Sequence, residues 1–514
     1  MGDWKAPPPP SSCDKGYSFE DGMRMARTSA YSAGRFNTDL SGWGNRSFSP
    51  FQELSGDLPL LVSRAQSGYR NNHWLSRAID IKVTQEIGTG IVPHPATGDA
   101  AVDSSLSELW LDFVDYSDYA NISNVYGLQH GLSFGRHLSG DGFAIRHLLK
   151  PSRATHLPLA LQYQLVDASF CPYDYNLESM TNGHQIIHGV EINGSGQVVA
   201  YHFYKQDPEL NGNTGFDNLA RIPAERVIHH FLPKRAGQLR AVPEIIKAIP
   251  KAVSFENYND SELERKTVRA ALTGTVEKDQ ITEEDWQYDP ISGSPLDYDH
   301  GQLPQAKIQR GLFLNMLAGE KVNLFQTDDA GRGYHDYQKW QVLALGAATN
   351  TPYQLLSGDF EGINDRLWRA IFNDMKRHTQ SIQHPFIIPQ IARRIWVDFV
   401  DRAIATNKVA IPEGMSTFAK YRCNHQPQEW EYIHPKQDVE SKILQYQHGF
   451  LTRSSIVLAA NRERSVSDMD KQRAVDLKSE KDNGLPSTAD MSKSKGKGSE
   501  KEPETKPKTK PKGD

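Results

Sequence analysis

The chain has 514 residues, 63 acidic against 58 basic for a net charge of −5, and only 3 cysteines. That length leaves room for roughly two to four domains, and the charge balance speaks against a tight grip on nucleic acid by counterion release, so any DNA contact should be loose or confined to a small surface. Cys13, Cys171 and Cys423 lie far apart, which suits a reducing compartment and excludes a local multi-cysteine zinc site.

Mean hydropathy is −0.59, and no apolar run approaches the roughly 18 residues of a membrane span. Residues 1–16, MGDWKAPPPPSSCDKG, are rich in Pro and Ser and read as a disordered arm. They lack the charged and apolar regions of a signal peptide. With Ala at position six they also miss the myristoylation pattern. Tyr17 to Trp43 reads as a weakly ordered arm. Leu58 to Ile87 reads as helix with a break near Gly68–Asn72, closed by Gly88-Thr89-Gly90, and an extended piece begins at Ile91–Val92. Ser105 and Glu108 have capping-box spacing and predict a helix start there. Leu106, Leu109, Trp110 and Phe113 supply its apolar face. A further helix is expected from Ser123 to about Leu138.

After Ser139-Gly140-Asp141-Gly142 the period becomes that of strands: FAIRHLL, LQYQLVDA, and a hairpin turning on Asn193-Gly194-Ser195-Gly196. Arg221–Pro223 and Val227–Phe231 complete an α+β region. Val242–Pro243 then opens a helix, because proline fits the first turn. Ile245, Ile246, Ile249 and Val253 fall at helical spacing as its apolar anchor. From Glu256 to Thr267 the helix turns polar all round, and Glu262 is spaced to pair with Arg265 or Lys266. A helix apolar at one end and polar at the other usually bridges domains or packs against other copies.

Thr275 to about Tyr334 reads as a small β-rich insertion, and His335–Ala348 returns to helix. Thr349 to Ile363 is a loop. Asn364 to about Ile404 is helical with kinks at Pro385 and Pro389, its apolar face carried by Leu367, Ile371, Met375, Ile382 and Phe386. Trp430 to Pro435 is extended, Gln437–Asn461 is amphipathic helix broken at Gly449, and the Lys/Glu/Pro-rich tail from about Ser479 should be disordered.

No catalytic constellation stands out. Gly131-Leu-Ser133-Phe-Gly135 matches the G-x-S-x-G elbow, yet the elbow needs a strand before the Ser and a helix after it, the reverse of the order here. His184 with His188, and His229 with His230, lack acids or cysteines at ligand spacing. There is no phosphate-binding G-x-x-x-x-G-K-[ST] loop. The expectation is therefore a non-enzyme without cofactor or metal. The rival readings are a hydrolase using Ser133 and a nucleic-acid binder acting through its basic tail.

Six segments, in order, resemble the lambda family of bacteriophage portal proteins. They are AYSAGRF with RAQSGYRNNHWLSRAIDIKVTQEIGTGI, SGDGFAIRHL, RIPAERVIHHFLPKRAGQLRAVPEI, LNMLAGEKVNLF, GAATNTPYQLLSGDF and Trp430–Pro435. The chain departs from the family's usual continuation after SGDF, having Glu361-Gly-Ile-Asn-Asp-Arg-Leu-Trp368 instead. The resemblance implies an α+β portal-type fold assembled as a ring of twelve copies at one capsid vertex. It implies a wing in residues 17–235 and 365–429, a first stem helix at 236–274, a clip at 275–334 and a second stem helix at 335–348. A tunnel loop at 349–364, a crown at 430–478 and a disordered tail at 479–514 complete it.

The function implied is a conduit through which a terminase packages double-stranded DNA and from which DNA is later ejected. Expected partners are further copies of the chain, DNA in transit, the terminase large subunit, major capsid and scaffold proteins, and head–tail adaptors. The expected place is the virion's portal vertex, after assembly in host cytoplasm. Candidate channel residues are Lys266, Arg269, Asn350, Gln354 and Asn364; candidate inter-subunit residues are Glu256, Asp260, Glu262, Glu264 and Arg265.

Overall fold

The computed structural model describes residues 49–150, 156–180, 182–208, 215–271, 275–278, 320–323, 331–430, 435–460 and 466–482. The chain divides into two units, Met1–Leu54 and Ser55–Asp514. The described part of the first is a short helix, α1 (Pro50–Leu54). A reciprocal cap opens it: Gln52 N–H donates to Ser49 Oγ at 3.1 Å, and Ser49 N–H donates to Gln52 Oε1 at 3.2 Å. All that follows concerns the second unit.

Helices α2 (Leu58–Asn71) and α3 (His73–Ile87) meet at Asn72, inside the predicted break. Asn72 leaves helical geometry, and its side chain accepts from the Trp74 and Leu75 amides at 3.1 and 3.0 Å, so one residue ends one helix and caps the next. After β1 (Val92–Pro95), helix α4 spans Ala100–Val114. It begins five residues before the expected Ser105. Asp99 is the N-cap and accepts from the Ala101 and Val102 amides, while Ser105 sits inside and donates to the Ala101 carbonyl. The Ser105/Glu108 spacing lost to the better acceptor upstream.

Helix α5 (Val125–Ser139), capped by Asn124, leads into β2 (Asp141–Leu148). β2 pairs antiparallel with β3 (Leu161–Val166) on one side and β8 (Val227–Phe231) on the other. A second antiparallel sheet runs β4 (Gln185–Ile187), β5 (Val190–Ile192), β6 (Val198–Tyr204), β7 (Leu219–Pro223) in that order. The turn from α5 into β2 needs glycine twice. Gly140 has φ +87°, and a Cβ there would lie 2.2 Å from the Ala241 carbonyl oxygen; a Cβ on Gly142 would lie 2.2 Å from that of Leu132.

A single 3₁₀ turn at Glu244–Lys247 precedes helix α6 (Ile249–Ala271). β9 (Thr275–Lys278) and β10 (Glu320–Asn323) pair antiparallel, and helix α7 (Gly331–Thr349) returns beside α6. α7 starts four residues before the expected His335. Of the β-rich insertion expected over 275–334, these two strands are described; GLFLNML lies outside the described residues. A short helix α8 (Tyr353–Ser357) interrupts the loop before α9 (Asp365–Ile382). The predicted kinks at Pro385 and Pro389 take the form of a widened π-type segment, Gln383–Ala392, ahead of α10 (Arg393–Ala405). Proline has no N–H for the α ladder, and a wider turn absorbs the gap. β11 (Cys423–Gln426) pairs with β1.

Helices α11 (Pro435–Gln447) and α12 (Arg453–Ala460) flank Gly449 as expected; α13 (Val466–Asp482) was not expected, and it runs past the predicted start of the tail. Residues 431–434 of the predicted extended segment, the arms at 1–48 and the tail beyond 482 lie outside the described residues.

Among the described residues three apolar clusters hold the unit. Trp110, Phe113, Trp396 and Phe399 centre the first, and Phe143, Tyr201 and Phe203 the sheet-bound second. The third joins Leu75, Ile79 and Val83 of α3 to Ile245, Ala248, Ala252 and Phe255 at the base of α6, and to Val342 and Leu345 of α7. The sequence reading of that anchor needs correcting. Val253 is 50% exposed, and Ala252 and Phe255 face the core instead. The 3₁₀ turn advances more angle per residue than an α-helix, so a register counted from Ile245 at α spacing misses the true face.

Candidate functional site

At the root of the α6–α7 hairpin two largely buried charge clusters grip the chain as it enters α6. In the first, Glu86 at the end of α3 receives Arg136 Nη2 at 2.6 Å and the Ser133 hydroxyl at 2.7 Å. Arg136 spends its other terminal nitrogen on Glu244 at 2.9 Å, and Lys82 Nζ reaches Glu244 Oε2 at 2.8 Å. His137 lies between the carboxylates, 3.1 Å from each. Ser133, Arg136 and His137 come from one face and one turn of α5, Lys82 and Glu86 from successive turns of α3, and Glu244 from the 3₁₀ turn.

Burial by itself pushes the Glu86 and Glu244 carboxyls up. Arg136 and His137 outweigh it and hold both below the usual carboxylate range. In the second cluster Arg240, fully buried, donates through Nε to Asp141 Oδ2 at 2.6 Å and through Nη1 to the Cys171 and His188 carbonyls. Asp141 also receives the Ala241 amide, and His229 Nε2 lies 3.0 Å away. Desolvation opposes the Asp141 charge, yet Arg240 and His229 keep its carboxyl low, while burial lowers the His229 imidazole. Buried pairs of this kind fix position more than they add net stability, because desolvation offsets most of the attraction.

Beyond the root the hairpin changes character. Ala252 and Phe255 pack in the same cluster as Val342 and Leu345. One turn on, contacts become polar and aromatic. Asn259 Oδ1 accepts from Gln338 Nε2 at 3.1 Å and from the Tyr334 hydroxyl at 3.3 Å, Tyr258 stacks against Tyr334 and meets Tyr337 at a tilt, and the Lys266 ammonium sits 4.9 Å from the Tyr334 ring centre. The faces turned away differ. On α6 they carry Val253, Asp260 and Glu264; on α7 they carry Trp340, 71% exposed, with Ala344 and Ala347.

The description "Phage portal protein, lambda family" belongs to a family model that matches residues 36–383, more than half of the chain. The chain belongs to that family. Among solved structures it is similar, at low identity, to one titled "Neck of empty GTA particle computed with C6 symmetry", at 13% identity, covering 82% of this chain and 96% of that one with a TM-score of 0.41. Another is "Virion of native gene transfer agent (GTA) particle", at 13% identity, 77% and 92% coverage and a TM-score of 0.39. A third is "Neck of native GTA particle computed with C12 symmetry", at 12% identity, 79% and 94% coverage and a TM-score of 0.42.

The candidate residues of this portal protein fall in two places. On α6, Glu262 is 8% exposed and pairs with Arg265, whose Nε donates to it at 2.7 Å; of the two spaced partners, Lys266 turns to Tyr334. Glu256 accepts from Asn72 Nδ2 at 2.6 Å, joining α6 to the α2–α3 corner. Asp260 and Glu264 are exposed, and the side chain of Arg269 lies outside the described residues. Around the loop, Asn350 takes a left-handed backbone (φ 54°) and its Nδ2 lies 2.9 Å from His378 Nε2. Gln354 is half-buried on α8, and Asn364 caps α9 by accepting from the Leu367 amide at 2.8 Å.

Sequence reasoning missed both charge clusters. The one available signal was charge set among apolar or small neighbours, as at Glu86, Arg136 and Asp141. The elbow-like Ser133 is fully buried in mid-helix with a carboxylate as its hydrogen-bond partner, which leaves no room for a substrate carbonyl. The candidate metal-binding histidines each spend a ring nitrogen on a protein partner. His184 meets Glu191, His188 meets the Tyr173 carbonyl, and His230 meets Gln390. No group of three His, Cys, Asp or Glu side chains that could hold a metal ion occurs among the described residues. Nor is any helix among them long and apolar enough to cross a membrane.

Proposed function

We propose that this chain is the structural subunit of a ring whose central channel carries double-stranded DNA, with the α6–α7 hairpin as the stem and residues 349–364 as the loop bordering the channel. The family match over residues 36–383 carries this reading. The hairpin supports it physically. Its outward faces hold Val253, Leu263 and Trp340 exposed, a pattern expected where helices pack against neighbouring copies. Heterologous contacts of that kind close into rings by rotation. The exposed acids Asp260 and Glu264 would weaken the hold of this wall on phosphates.

On this reading the strand pair β9–β10 begins the clip, residues 365–429 return to the wing, and α11 to α13 build the crown. The ring stands at a capsid vertex of the virion after assembly in host cytoplasm, with terminase, capsid, scaffold and adaptor proteins as partners. Its role is structural rather than catalytic. Negative-stain electron microscopy of the purified full-length chain tests it. Rings of uniform diameter are expected, and monodisperse monomer at every concentration would overturn the reading. Shortening residues 349–364 should leave rings intact and impair packaging or retention of DNA.

A further inference from the structure

Helix α3 has two working faces. Lys82 and Glu86, one turn apart, hold the hairpin root through Glu244 and Arg136. Arg77, Ile81 and Gln85, on the adjoining stripe at i, i+4 spacing, lie under residues 350–357. There Arg77 Nε donates to the Leu355 carbonyl at 2.8 Å. Leu356 enters the same apolar cluster as Ile79, Val83 and Ile245. At the loop's start, Lys82 and Glu86 share a narrow crevice with Asn350, Thr351, Pro352 and His378. Lys82 therefore touches both the ion pair of the root and the crevice of the loop.

We propose that α3 couples the position of the loop at 350–358 to that of the hairpin root, with the Lys82–Glu244 ion pair as the contact through which the two are linked. The physical ground is close packing. A packed helix that carries both segments moves as a unit, so loosening either side shifts the other. Coupling of this kind is reciprocal: whatever the loop does to the root, the root does to the loop by the same factor. The link is internal to one chain and holds whether or not copies form a ring. Only the identity of the natural input, DNA pressing on the loop, rests on the channel reading.

Hydrogen exchange read by mass spectrometry on the full-length protein decides it. Arg77→Gln removes the exposed donor to Leu355 without touching the buried charges. It should speed exchange severalfold in residues 353–358 and, by the coupling, in residues 245–252 as well. Lys82→Met should speed exchange in both segments, and adding Arg77→Gln to it should change the root no further. Acceleration confined to the loop in Arg77→Gln would overturn the proposal, as would acceleration confined to the root in Lys82→Met. Unchanged exchange in the loop itself in Arg77→Gln would overturn it too. If Lys82→Met does not fold, the Arg77→Gln result alone decides. Rings by electron microscopy with uncoupled exchange would sink the coupling and spare the channel reading; coupled exchange without rings would do the reverse.

Discussion

Replacing Arg136 by methionine tests the account of the hairpin root most directly. The side chain is 1% exposed and supplies the guanidinium between Glu86 and Glu244. Methionine keeps the length and removes the charge, leaving Glu86, itself 2% exposed, with the Ser133 hydroxyl and His137 for company. Removing one partner of a buried pair typically costs about 3–5 kcal/mol.

The pH dependence should change sign as well. In the native protein the Glu86 carboxyl is held low by Arg136 against its desolvation. Its contribution is complete above the unfolded carboxylate value, near 4.3, and is lost as pH falls through the folded value. Without Arg136, desolvation and the Glu244 charge are opposed by His137 alone, and the folded carboxyl should rise above its unfolded value. The folded state then binds a proton that the unfolded state does not. From that point down to about pH 4.3, stability should increase by roughly 1.4 kcal/mol per pH unit of acidification. Urea midpoints measured from pH 8 to pH 4 read both effects. A loss below about 1 kcal/mol, or a variant that still weakens on acidification throughout, would refute the reasoning.

Three further outcomes follow from the same geometry. Ser133→Ala should cost about 1–3 kcal/mol, since a buried carboxylate loses a donor, and a fluorophosphonate probe should label neither protein; labelling that vanishes with Ser133 would restore the hydrolase reading. Gly142→Ala should prevent normal packing of α5 on β2, because its Cβ would meet the Leu132 carbonyl oxygen at 2.2 Å, while Gly194→Ala, with nothing within 4 Å, should stay within about 0.5 kcal/mol by thermal melting. Lys266→Ala should loosen the hairpin by about 0.5–1 kcal/mol through the lost contact with Tyr334; unchanged exchange in residues 258–266 would count against that contact.

Much was legible in the sequence because it is written in local pattern. The period change at Gly140–Gly142, the turn at 193–196, the break at Asn72 and the proline-widened segment at 383–392 each depend on residues within a few positions. So did the family: six segments in order sufficed, and the match over 36–383 agrees. The misread elements were those where neighbours compete or geometry shifts. Asp99 outbid Ser105 as a cap, and a single 3₁₀ turn moved Val253 out of the core and Ala252 and Phe255 into it.

What the sequence by itself determined is thus the order of the longer helices and strands as far as α10, the polar character of the hairpin and the absence of a recognisable catalytic motif. Only the tertiary structure decided which charges are buried and with whom. Glu86 and Arg136 meet from 50 residues apart, Arg136 and Glu244 from 108, and Asp141 and Arg240 from 99. A charged residue's cost depends on how much water the surrounding chain removes from it. No local pattern records that, so the root of the hairpin became visible only when distant segments were brought together.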